Sequence, residues 1–176
     1  MAWRLRRRGR RWLLFAHVVS SVGWIGVEVS ILGLGVVGLT SSDPATIRSS
    51  QVAIGLLGGT FYLPASLLAL VTGVLLGLGT KWGLVRHYWV LAKLVLTVAL
   101  FLGGNLAVMP ELVAGARAAA RGELGSGQVI AVTAMSAGLT LLLIATLLSI
   151  FTPWGKSRWH PDRRRRHEPA VVAAGG

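Results

Sequence analysis

Residues 13–39, LLFAHVVSSVGWIGVEVSILGLGVVGL, decide the fold. As a helix this apolar run is about 40 Å long, against roughly 30 Å of bilayer hydrocarbon. It nevertheless carries His17 and Glu28. At about 100° per residue, His17, Ser21, Trp24, Glu28, Ile31 and Gly35 fall on a single stripe. A carboxylate deep in a span costs roughly 2.5–3.5 kcal/mol on insertion scales, so such groups face a bundle interior or a wet cavity. The polar stripe of this helix is where the protein's work is expected.

Three further runs are long enough to cross a bilayer: 52–79, 88–108 and 128–151. With the first they predict an all-α fold, a polytopic four-transmembrane-helix bundle spanning 13–151. A basic arm, 1–12, precedes it, and a polar, Pro-broken, Arg-rich tail, 152–176, follows and is expected to be disordered. The composition agrees: 53% of the 176 residues are hydrophobic and 14% charged, and the mean hydropathy is +0.66. A soluble domain and a disordered chain are both excluded as descriptions of the whole. The arm has the basic look of a secretory or twin-arginine leader, but the run after it is too long for a signal core and no small-residue cleavage site follows. The first span is expected to stay uncleaved. The absence of cysteine excludes disulfides, thiolate catalysis and Cys-ligated metal sites.

The net charge of +12 is placed by topology. The arm (Arg4, Arg6, Arg7, Arg8, Arg10, Arg11), the second loop (Lys81, Arg86) and the tail (Lys156, Arg158, Arg163 to Arg166) fall on one side. Only Arg48, Arg117 and Arg121 fall on the other. By the positive-inside rule both termini are cytoplasmic, in a plasma (inner) membrane. The basic ends suit anionic lipid, and no nucleic-acid partner is expected. Trp3, Trp12, Trp82, Trp89, Trp154 and Trp159 cluster at the same boundary as an interfacial belt, with only Trp24 deep in a span. The stretch MPELVAGARAAARGELGSG after span 3 reads as a loop with a short interfacial helix at its centre. In span 2, Ala65, Ala69, Gly73 and Gly77 form a small-residue ladder that lets another helix approach closely, within the chain or in a homo-oligomer or membrane complex. Pro64 is expected to kink this span.

Depth sorts the polar residues into two layers. His17 lies about 6 Å inside span 1, and Lys93 is at a similar depth in span 3, with Thr146 and Ser149 at that level. Glu28 is about 16 Å further along, within reach of Tyr62, Ser66, Thr97, Ser136 or Thr140. His17 reads either as a haem-iron ligand or proton relay, or as a neutral imidazole bonded to Ser20, Ser21 or a carbonyl. Lys93 either snorkels to the headgroups or sits beside a buried carboxylate. Glu28 is either protonated and hydrogen-bonded or ionised and paired. His87, His160 and His167 read as boundary or tail residues.

The segment His17-Val-Val-Ser-Ser-Val-Gly-Trp24-Ile-Gly26 resembles the first span of a group of small bacterial membrane proteins. That group includes the membrane protoporphyrinogen oxidase and the copper-resistance-D-like domains. Trp89-Val-Leu-Ala-Lys93-Leu-Val-Leu is similar to the oxidase family's third span, and TKWGLVRHYWVLAKLVLTVAL looks closer still to an uncharacterised four-span actinobacterial family in the same group. The resemblance implies that His17 ligates haem b, that Lys93 matches the oxidase's functional lysine, and that Trp24 belongs to the pocket. Where the oxidase pattern has Phe-Tyr-Leu-Pro-Arg after the Trp, this chain has Val27-Glu28-Val29-Ser30. Its own Phe61-Tyr62-Leu63-Pro64 lies on another helix and lacks the Arg. Three methionines without cysteine argue against copper handling. Three functions compete: a haem-binding redox or haem-handling protein, a proton-coupled exporter working through Glu28, and a structural or assembly subunit.

Overall fold

The computed structural model describes residues 7–79, 88–123 and 125–151; the side chains of residues 88, 89 and 149–151 are not among those described. Six α-helices build it: α1 (Arg7–Thr40), α2 (Pro44–Leu57), α3 (Leu63–Gly79), α4 (Tyr88–Gly103), α5 (Met109–Ala120) and α6 (Gly127–Phe151). Two π-turns, Gly58–Tyr62 and Gly104–Val108, join α2 to α3 and α4 to α5. The result is an all-α bundle with four helical segments long and apolar enough to cross a membrane: Arg7–Thr40, Pro44–Gly79, Val90–Ala120 and Gly127–Leu148. Four crossings bring the Arg7 end of α1 and the Phe151 end of α6 to one face, the near face. The α1–α2 and α5–α6 turns lie at the far face.

Three boundaries differ from the expectation. Helix α1 starts inside the basic arm, so Arg7, Arg8, Arg10 and Arg11 are exposed on its first turns and not on a separate segment. The polar stretch 44–51 is helix, not loop. Pro44 occupies the first turn, where its missing N–H is no loss. Asp43 caps it, accepting from the amides of Ala45 (3.2 Å) and Thr46 (3.0 Å) and from the Thr46 hydroxyl (2.7 Å). Those bonds, the Thr46 hydroxyl first, hold the Asp43 carboxyl below its ordinary value. Finally, 109–120 continues span 3 and is not an interfacial helix in a loop. Its Met109, Leu112, Ala116 and Ala119 form a buried stripe, while Glu111 and Arg117 face outward. Gly122, at φ +90°, ends it in the left-handed conformation that glycine adopts without a Cβ penalty. Arg48 of α2 donates to the Ala120 carbonyl at 2.6 Å, binding one of the orphan carbonyls of α5.

Each span packs on its neighbours: α1 on α3, α2 and α6, α2 on α5, and α4 on α6 and α3. The core runs through Trp24, Ile31, Ile54, Tyr62, Leu112 and Met135. Small residues set the spacing. A methyl at Gly38 would press on Ser50 and Gln128, and one at Gly55 would collide with Ala116. The α3 ladder is used within the chain, with Ala69 buried and Gly73 against the His17 ring of α1. The opposite faces (Val18, Val22, Val29, Leu67, Leu147) are exposed, as lipid-facing surfaces are. Trp12 is exposed and meets Phe15 edge to face. Trp3, Lys81, Trp82, Arg86, His87 and the tail with Trp154, Trp159, His160 and His167 lie outside the described residues.

Candidate functional site

The stripe expected on α1 is its inward face. Trp24, Glu28, Ile31 and Gly35 are buried, and His17 and Ser21 are half-buried. Glu28 is 0% exposed, and at that depth its carboxyl can be satisfied only by neighbouring protein groups. Tyr62, on the first π-turn, donates its hydroxyl to Glu28 Oε1 at 3.3 Å. The Tyr62 ring stands edge to face on Trp24, with centroids 6.0 Å apart. Trp24, one turn below Glu28, is close enough to act on the carboxyl, but among the described residues its indole N–H has no partner in hydrogen-bond geometry, and Glu28 Oε2 has none either.

Two glycines let the neighbouring helices close over this pair. A methyl at Gly138 on α6 would lie 3.1 Å from both Glu28 oxygens, and a side chain at Gly104 would run into the Tyr62 ring and hydroxyl. Ser136 and Thr140, expected within reach of Glu28, are exposed instead. Two residues either side of Gly138 place them about 160° away around α6, and Thr140 bonds back to the Ser136 carbonyl. Thr97 likewise donates to its own helix, to the Lys93 carbonyl at 2.8 Å. Thr146 is exposed and bonds to Leu142 O. Ser66, 0% exposed, is one turn below Tyr62. It accepts at 3.1 Å from Asn105, a residue of the second π-turn that was not singled out in the sequence.

The second layer is built around His17. Its Nδ1 is 3.1 Å from the Ala69 carbonyl and 3.0 Å from the Thr72 hydroxyl. A carbonyl can only accept, and the Thr72 hydroxyl donates to the Leu68 carbonyl. Both partners therefore assign the proton to Nδ1 and leave the lone pair on Nε2. Lys93 is within electrostatic reach of this ring, which joins the two residues in one layer as their depths predict. Ser20 bonds to the His17 carbonyl, not to its ring. Among the described residues no three His, Cys, Asp or Glu side chains come together as a metal cluster.

Gly104, Asn105, Gly138 and Thr72 were missed because none carries charge, and a glycine's contribution is the side chain it lacks. The Gly-x5-Pro spacing of both π-turns, Gly58 to Pro64 and Gly104 to Pro110, was the available signal. No family model, curated protein or solved structure matches the chain, so the likeness of spans 1 and 3 to the oxidase group rests on the quoted residues alone.

Proposed function

We propose that this chain is a proton-coupled membrane transporter of small cations, with Glu28 as the group that exchanges a proton for its substrate. The observation that carries the reading is a fully buried carboxyl with one oxygen on Tyr62 and the other unpartnered among the described residues. An ionised carboxylate is costly at this depth unless a proton or a cation accompanies it. The faces of Trp24 and Tyr62 beside it are the surfaces a cation prefers. The exposed Arg7, Arg8, Arg10 and Arg11 belong to the cytoplasmic leaflet of the plasma membrane, among anionic headgroups. In detergent, adding a lipophilic cation such as tetraphenylphosphonium releases protons from the wild type and none from Glu28→Gln. Equal release from both proteins overturns the reading.

A second reading is favoured by one observation, the His17 tautomer. An imidazole whose Nδ1–H is held by a carbonyl presents Nε2 as a ligand, as metal-binding histidines do. In that reading His17 holds haem b, Lys93 faces a propionate, and the group supplies one-electron redox chemistry. Purified protein would then show a Soret band that His17→Ala abolishes. Colourless protein from haem-replete cells rules it out.

A further inference from the structure

Spans 2 and 3 are each interrupted once, at the level of Glu28, by the same device. A π-turn begins at a buried glycine, Gly58 or Gly104, and ends two residues before a proline, Pro64 or Pro110. Proline has no N–H for the carbonyls four and five residues back, Thr60 and Gly59 in one case, Leu106 and Asn105 in the other. Each helix is therefore weakest where it passes the carboxyl. Beyond these breaks the far halves, α2 and α5, are closely joined. Gly55 meets Ala116, Gly59 meets Val113, and Arg48 holds the Ala120 carbonyl. Below the breaks, α3 packs on α1 as α2 does above them, and α4 shows no fully buried residue among its described side chains.

The seam that holds the α2–α5 pair against the rest of the bundle is imperfect. Gln51, 1% exposed, is wedged between Gly115 of α5 and Gly127 of α6, and among the described residues neither its amide nitrogen nor its amide oxygen has a partner. Gln128 reaches the Ile47 carbonyl only at 3.3 Å. An unsatisfied buried amide opposes the closed arrangement, because opening returns it to water. The closed form is thus held by close packing and opposed by its own polar seam.

We propose that α2 and α5 form a single flap, hinged at the two π-turns, whose outward swing opens Glu28 to the far face. Tyr62 lies on one hinge and Asn105 on the other, so the swing draws the hydroxyl from the carboxyl and the amide from Ser66 together. This deepens the transport reading by naming the side from which substrate enters, and it rests on that reading for its purpose but not for its geometry.

The cysteine-free chain allows a direct test. Ser66→Cys, fully buried when the flap is closed, is exposed to an impermeant methanethiosulfonate from the far face of sealed vesicles, with the exposed Ser49→Cys as positive control. The thiol at 66 reacts. Restoring the backbone donors with Pro64→Ala plus Pro110→Ala, or removing the seam amide with Gln51→Met, slows that reaction at least about tenfold while the control keeps its rate. No reaction at 66 overturns the flap, as does a rate that neither variant changes. Labelling with this pattern, but with no cation-driven proton release, leaves the flap standing and the transport reading fallen. Proton release without labelling does the reverse.

Discussion

Gly138 shows what one absent side chain does at the residue scale. Gly138→Ala places a methyl 3.1 Å from both oxygens of Glu28, a contact so tight that the buried carboxyl must give by a few tenths of an ångström. Overpacking of this kind costs about 1–3 kcal/mol. Tyr62→Phe removes one hydrogen bond inside a bundle, where such bonds average about 0.6 kcal/mol. The glycine change is therefore expected to destabilise more than the loss of the hydroxyl, although only the latter touches a polar contact. Unfolding midpoints of the two variants in mixed detergent and SDS check the order. His17, Trp24 and Glu28 were legible in the sequence because a polar or aromatic group in an apolar run has few places to face. Gly138 and Asn105 were not. One acts through empty space, and the other owes its position to a change in helix pitch that hydropathy does not record.

Span ends are where sequence reading went furthest astray, and the cause is local. Ser49, Ser50 and Gln51 look like loop residues, but Ser50 and Gln51 are turned inward against α1, α5 and α6. The pair Asp43-Pro44 was the start signal for the helix, and it outranks the polarity that follows. Asp43→Ala is expected to fray the first turn of α2, seen as faster amide exchange at Ala45 and Thr46. The wild-type cap should follow pH with a definite sign. The folded value of Asp43 lies below the ordinary one, so its contribution is complete above the ordinary carboxylate range. It is lost as the pH falls through the depressed folded value. Protection factors of these two amides, corrected for the pH dependence of intrinsic exchange, should fall on acidification in the wild type and stay flat in Asp43→Ala.

At the scale of the whole molecule the bundle was readable almost entirely from four apolar runs, because bilayer thickness leaves the chain few alternatives. The continuity of α1 through its arginines was not, since a basic arm and a helical first turn have the same composition. Replacing Arg7, Arg8, Arg10 and Arg11 with Gln should reduce selectivity for anionic over zwitterionic lipid, by about 1 kcal/mol per charge at most. Spin-labelled lipid partitioning measures it, and an unchanged preference would place the charges away from the headgroups. Helix α1 is also the longer of the two unbroken spans, 34 residues from Arg7 to Thr40. A rigid mast of that length can lean in a thin lamella or stand upright in a thick one, but it cannot shorten. The spacing between its imidazole and its carboxyl is thus the same in every membrane that hosts it, and only their height between the two headgroup layers is adjustable.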